Sequence, residues 1–313
     1  MVDDEKPKAI KVPDLGELDK PKGKKSPIID DTDEPEKKDF SKIRDEIKKS
    51  LKGKKEGEKH QLLSTGAIPV NKPAKAKETE ISSPEDHVPT GIPGLDKVMG
   101  GGFEKGSVTI IGGGAGSGKS ILCMQFLING ILKYKETGIY ITFEESRDKI
   151  IKHMSGFGWP IKQLIKDQKL EIIEYSPGQV AKLLSEGGGA IDAAIEKLKA
   201  KRLVIDSLTA FTLLHKDDLS KIESSLNLFS MMRQWECTAL LIAESDPDPE
   251  SHKSTVMEFE VDGVILLYNI RKGDVRERAL EILKLRGIHH STKIFPIKVL
   301  DTGIEVYPEE AFF

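Results

Sequence analysis

The sequence predicts an α/β domain with a mostly parallel central sheet, helices on both faces and antiparallel strands at its carboxyl-terminal side. Three observations carry that expectation. From about residue 88 onward, short apolar runs alternate with helical patterns. A glycine-rich loop stands between one such run and the helical pattern after it. From Val261 the pattern changes to consecutive strands joined by turns.

The parallel part is read from runs at Ser107–Gly112, Gly138–Phe143, Leu170–Tyr175, Arg202–Asp206 and Thr238–Ala243. Helical patterns fall at Lys119–Tyr134, Arg147–Phe157, Gln179–Ser185, Ala190–Ala200 and Leu219–Trp235. Continuous apolar strands separated by helices imply a sheet buried on both faces. The later runs, Val261–Ile270, Arg276–Leu285, Lys293–Val299 and Gly303–Tyr307, are close together and linked by turns such as Arg271 to Asp274. They are expected to extend the sheet as antiparallel or mixed strands.

The first 87 residues have a different composition. They carry roughly 20 basic and roughly 20 acidic residues, Phe40 as their one aromatic residue, and prolines from Pro7 to Pro84. Such a segment buries too little apolar surface to offset chain entropy, and it is expected to be largely disordered. Phe40, Ile43, Ile47 and Leu51 recur at helical spacing, which suggests a short helix over 39–52 that docks on a protein partner or on the protein's own core, or forms transiently in solvent.

The whole chain of 313 residues has a formal net charge of −3, so no global charge points to nucleic acid or an anionic membrane. Cys123 and Cys237 lie in apolar runs far apart, as reduced core residues of a cytoplasmic protein. The amino terminus does not read as a secretory signal, and no apolar run approaches the roughly 20 residues of a membrane span.

The chemistry is concentrated after the first apolar run. Gly113, Gly114, Ala115, Gly116, Ser117, Gly118, Lys119 and Ser120 fit the G-x-x-x-x-G-K-[ST] pattern, with a strand before and a helix after. The glycines let successive backbone N–H groups converge on one anion, and the helix adds its positive amino-terminal end. Lys119 is placed to reach β- and γ-phosphates, and Ser120 to ligate Mg²⁺. The loop is therefore read as a site for a nucleoside triphosphate, ATP with Mg²⁺.

Two strand ends supply carboxylates. Arg202–Asp206 ends in an acid that either holds Mg²⁺ beside the phosphate loop or caps the next helix. Gly138–Phe143 is followed by Glu144 and Glu145, either of which could orient an attacking water, or which with Ser146 could cap the helix at Arg147. Adjacent strand residues point to opposite faces, so at most one of the two glutamates easily faces the phosphates, unless the turn just past the strand relaxes that restriction.

Several spaced motifs then carry a family resemblance. Thr90 to Asp96, Gly100 to Gly106, the phosphate loop, Tyr140 to Ser146, Ser155 to Trp159 and Lys284 to Gly287 resemble the KaiC-type branch of the RecA-like P-loop NTPases from about residue 88 to the end. The resemblance implies a RecA-like core forming a ring, usually a hexamer, with ATP between neighbours. It implies Lys119, Ser120 and Asp206 as phosphate and magnesium residues and Glu144 or Glu145 as the catalytic glutamate. Lys284 and Arg286 would reach the γ-phosphate held by the adjacent subunit, as an arginine finger does; read without the resemblance, they are two cations on a solvated strand end. His290 and Asp301 match positions that contact the neighbour's nucleotide only loosely.

Self-phosphorylation at Ser254 or Thr255 is a weaker implication, because the segment from Ser251 sits farther from the following strand than the family pattern has it. A role as a DNA recombination mediator would need basic loops near a ring axis. The loop from Glu244 to Ser254 is acidic in its first half, although His215, Lys216 and Lys253 are basic. A slowly hydrolysing switch within a larger motility or signalling complex remains the other alternative to a regulatory ATPase.

Overall fold

The structure, a computed structural model, describes residues 86–313 apart from 177–178, 180–188, 214, 216, 247–248, 251, 253, 311 and 313. The charged amino-terminal region with its possible helix over 39–52 lies outside the described residues, as does nearly all of the helix expected at 179–185.

A two-residue pair, β1 (His87–Val88) with β2 (Phe103–Glu104), brackets a short helix α1 (Leu95–Met99). The main elements follow in alternation: β3 (Val108–Gly113), α2 (Lys119–Tyr134), β4 (Gly138–Thr142), α3 (Arg147–Met154), α4 (Ile161–Lys166), β5 (Leu170–Glu174), α5 (Gly189–Leu198), β6 (Arg202–Asp206), α6 (Leu208–Thr212), α7 (Asp218–Gln234), β7 (Thr238–Glu244) and α8 (Val256–Glu260). Four strands complete the chain: β8 (Gly263–Lys272), β9 (Val275–Leu285), β10 (Ile294–Leu300) and β11 (Gly303–Val306).

Nine strands form one sheet in the order β11-β10-β9-β8-β3-β7-β6-β4-β5. From β8 to β5 every pairing is parallel, and β9, β10 and β11 return antiparallel. This is the expected α/β fold. Alternate side chains explain why both faces must be covered. On β7, Leu240 and Ile242 enter one core with α1, α2, α3 and α4, whereas Ala239 and Leu241 enter the other with α5, α6 and α7. On β6, Val204 joins the first core, and Leu203 and Ile205 join the second.

Two differences from the sequence expectation have physical causes. The helix expected over 147–157 ends at Met154 and tightens into a 3-10 turn at Ser155–Phe157, because Gly158 turns to positive φ and Pro160 follows. Helices α1 and α4 span five and six residues, too short for a periodic signal. Strand order, which no segment of the sequence specifies, places β7 between β3 and β6.

Arg202 is 1% exposed, although it starts a core strand. Its guanidinium forms an ion pair with Glu136, donates to Phe126 O and Pro89 O at 2.9 Å each, and stacks on the Phe126 ring at 4.4 Å. Helix α2 makes room for it at Gly130, where a Cβ would collide with that guanidinium. Arg202→Ala would leave Glu136 without its partner and a cavity under α2. The expected loss is roughly 3–5 kcal/mol in denaturant unfolding; a loss below about 1 kcal/mol would remove Arg202 as an anchor of the fold.

Candidate functional site

The phosphate loop leaves β3 at Gly113 and enters α2 through Gly118, with φ of 154° and 107°. A Cβ at Gly113 would collide with Leu267 O of the adjacent β8, so only glycine lets the chain turn there. Helix α2 has 16 residues and no acid in its first turn, which leaves its amino-terminal dipole free for an anion. Lys119 Nζ donates to Gly113 O at 2.6 Å and Gly114 O at 3.0 Å, and burial lowers its pKa against the opposing pull of Asp206. Ser117 Oγ is buried without a hydrogen-bond partner, a polar atom directed within the loop.

Asp206 stands at the tip of β6, and its Oδ2 accepts from Ser120 Oγ at 3.1 Å and from Tyr140 OH. Burial raises the Asp206 pKa; the hydrogen bonds from Tyr140 and Ser120 oppose it. The peptide between Asp206 and Ser207 is cis. Ser207, not Asp206, caps α6, its Oγ accepting from Ala210 N at 3.2 Å. The carboxylate is thus free of a capping role.

The two glutamates separate. Thr142 Oγ1 accepts from Glu144 N at 3.3 Å and Glu145 N at 3.1 Å, which turns the chain sharply at the end of β4. Glu144 accepts from Ser207 Oγ, one residue from Asp206. Glu145 is half-exposed and faces His153 at 3.7 Å. Ser146 makes no side-chain cap at α3; Glu174 Oε2 takes the Arg147 N–H instead, at 2.9 Å.

Lys284, Arg286 and His290 do not meet the phosphate loop of their own chain. The register pairs Gly113 with Leu267 and Leu267 with Leu280, whereas Thr109 pairs with Gly263 and Gly263 with Leu285. Lys284 and Arg286 therefore lie toward the amino end of β3, opposite the loop. Lys284 Nζ donates to Glu258 O at 2.7 Å and Phe259 O at 3.4 Å. Arg286 donates to Phe259 O at 2.7 Å and to Asp262 Oδ1 at 3.2 Å. Burial, then the charge of Arg286, lowers the Lys284 pKa. His290 Nδ1 contacts Ser291 O at 2.9 Å, just before β10, and Asp301 lies in the turn between β10 and β11.

Four side chains at the loop were not anticipated. Tyr140 and Ser207 hold Asp206 and Glu144, as above. Asn269 Nδ2 donates to Ala115 O at 3.3 Å and Arg278 Nε to Gly116 O at 2.9 Å, from directly paired positions on β8 and β9. Tyr140 reads as core in an apolar run, and the Asn269–Arg278 pair exists only once β9 returns along β8. Thr255, a candidate for self-phosphorylation, uses Oγ1 to cap α8, accepting from Glu258 N at 3.4 Å.

Among the described residues there is no group of three or more His, Cys, Asp or Glu that could hold a metal, and no helix is long and apolar enough to cross a membrane.

A raised folded-state pKa means that protonated Asp206 favours the fold. That contribution is full below the unfolded pKa and is lost as pH rises through the folded one. Asp206→Asn should therefore raise the melting temperature of the nucleotide-free protein at pH 7 and leave it nearly unchanged at pH 3. A lower melting temperature at pH 7 would contradict the assignment of burial as the dominant influence on this carboxyl.

The family description "ATPase: KaiC" matches residues 88–311. The chain is similar to the circadian clock oscillator protein KaiC of Parathermosynechococcus lividus, 37% identical over 227 residues, covering 70% of this chain and 42% of that protein. It is also 37% identical over 243 residues to that of Thermostichus vulcanus, covering 75% and 46%. The chain thus spans about half the length of the curated relatives it matches. The crystal structure of a KaiC-like protein from the hyperthermophilic archaeon Pyrococcus horikoshii superposes with a TM-score of 0.64 at 31% identity, covering 71% of this chain and 99% of that one. With the RecA-like sheet and the phosphate loop in place, the chain belongs to the KaiC family of nucleotide-binding ATPase domains.

Proposed function

We propose that this protein is a Mg²⁺-dependent ATPase whose site is completed by a neighbouring copy of itself in a ring, and that turnover reports assembly for a regulatory purpose. One observation carries the reading: Lys119, Ser120, Asp206 and Glu144 converge at one end of the sheet, while Lys284 and Arg286 are held at the other.

Mg²⁺ suits Ser120 and Asp206, because this ion takes few protein ligands and fills its sphere with phosphate oxygens and water. Bound there, it would supply positive charge that offsets the negative charge of the phosphates. The loop N–H groups and Lys119 bind the phosphates and stabilise the charge that develops on them. Glu144 is the water-orienting acid, because its carboxylate is tied through Ser207 to the Asp206 step, and Glu145 is not. As water attacks the γ-phosphorus, the bond to the β–γ bridging oxygen breaks and ADP departs. Glu144 draws the proton from the attacking water. Lys284 and Arg286 of one copy face the γ-phosphate held by the next, where desolvation strengthens their effect.

Lys119→Ala should abolish nucleotide binding or turnover. Glu144→Gln should keep binding and reduce turnover at least about 100-fold, and Glu145→Gln should reduce it less than about tenfold; the reverse ranking would transfer the role to Glu145. The decisive test mixes Lys119→Ala subunits, which retain both cations, with Lys284→Ala/Arg286→Ala subunits, which retain the pocket. In a randomly mixed ring about one quarter of the interfaces join an intact pocket to intact cations, so turnover should recover to about that fraction. No recovery in rings shown to mix would overturn the shared site.

A further inference from the structure

Between the two ends of the sheet runs a hydrogen-bonded chain that none of the roles above uses. Ser245 follows β7 and touches the root of the phosphate loop. Its N–H points to Gly113 O at 3.4 Å, and a Cβ at Gly112 would press on its side chain at 3.3 Å. Ser245 Oγ lies 3.2 Å from His252 Nδ1, and His252 Nε2 lies 3.2 Å from Glu258 Oε2. The His252 and Glu258 side chains are only 10% and 9% exposed. A carboxylate only accepts, so Nε2–H donates to Glu258, and Nδ1 shares a hydrogen bond with the serine hydroxyl. Both ring nitrogens are thus engaged at once, and the ring orientation is fixed.

The far end of this chain is the element that holds the two cations. Glu258 is the middle residue of α8, and its own carbonyl accepts from Lys284 Nζ. The carbonyl of Phe259, next along, accepts from both Lys284 and Arg286. Five-residue α8 has little internal hydrogen bonding to fix its position. Its amino end is tied by Thr255, Met257 packs on the second core, Glu258 contacts His252, the Glu260 carbonyl accepts from Arg233 Nη2 at 2.6 Å, and its exit is Asp262, whose Oδ2 accepts from Val108 N at 3.0 Å at the start of β3.

We infer that His252 is a positioning residue: it ties the root of one subunit's phosphate loop to α8 and so sets where that subunit's Lys284 and Arg286 stand for its neighbour. The inference rests on the shared-site reading of the preceding section. It makes the protein's own loop backbone at Gly112–Gly113 part of what holds the cations used next door, so that neighbouring sites are coupled through a short row of polar contacts rather than through the apolar core.

The test uses the full chain. His252→Phe keeps the ring shape and removes both hydrogen bonds. The affinity for a fluorescent ATP analogue should stay within about twofold of wild type, because the pocket is intact, while turnover falls about tenfold or more. Glu258→Gln, which preserves an acceptor for Nε2–H, should retain most activity. Mixing separates positioning from general damage. His252→Phe subunits should regain turnover with Lys119→Ala subunits, which lend intact cations, but not with Lys284→Ala/Arg286→Ala subunits. If His252→Phe does not assemble by light scattering, Ser245→Ala carries the same test from the other end of the chain.

Unchanged turnover in both variants would overturn the inference. So would the absence of recovery with Lys119→Ala subunits while the Lys284→Ala/Arg286→Ala pairing does recover, since His252 would then serve its own pocket. If neither pairing recovers while Lys119→Ala and Lys284→Ala/Arg286→Ala subunits still complement each other, the inference fails and the shared site stands; if that reference pairing fails too, the shared site falls and the inference with it.

Discussion

The half-buried carboxylate of Asp206 is the constraint on which the rest of this site depends. An acid at the end of a strand whose other residues are all apolar or buried is a costly placement. It is tolerated because Ser120 and Tyr140 both donate to the same oxygen and Lys119 lies near enough to favour the charged form. Each of these partners comes from a different part of the chain. The first turn of α2 supplies Ser120 and Lys119, β4 supplies Tyr140, and the next peptide supplies Ser207, which engages Glu144. Fixing one carboxylate therefore fixes the start of α2, Ser120 and Glu144 relative to one another.

The direction of the sheet decides what one chain can and cannot do alone. Six parallel strands point their carboxyl ends the same way, and the loops that bind anions collect there. Strand β9 runs back along β8, so its end, with Lys284 and Arg286, is carried to the opposite side. In their own chain the two cations hold α8 through the Glu258 and Phe259 carbonyls. The proposed use of the pair on a neighbour's nucleotide requires a head-to-tail contact, which forms a ring when its rotation closes. The same returning strand also sets Arg278 beside Asn269 of β8, both against loop carbonyls, so β9 braces its own site at one end and carries Lys284 at the other.

How far the sequence shows this depends on whether the signal is local. Gly113 to Ser120 is legible because the backbone turn admits few residue types, and the collision at Gly113 shows why. Asp206 and the two glutamates are legible as acids ending apolar runs. Distinguishing Glu144 from Glu145 is not, since the two are adjacent and Glu144 is set apart by Ser207, distant in the chain. Tyr140 is hidden by its apolar neighbours. The position of β7 between β3 and β6 is hidden because strand order is set by how crossovers pack, not by any one segment. Ser245, His252 and Glu258 show no periodicity and meet only when α8 folds against the sheet. Spacing does not indicate a role for Lys284 and Arg286 on a neighbour's nucleotide; only the family resemblance implies it.

The central claim is that two copies share one site, and photo-crosslinking tests it most directly. An ATP analogue carrying an arylazide on its γ-phosphate would be bound to wild-type subunits mixed with tagged Lys119→Ala subunits, which have no working pocket of their own. After illumination, the account predicts label on the tagged subunits, in the peptide containing Lys284 and Arg286. Label confined to wild-type subunits, in rings shown to contain both kinds, would contradict it.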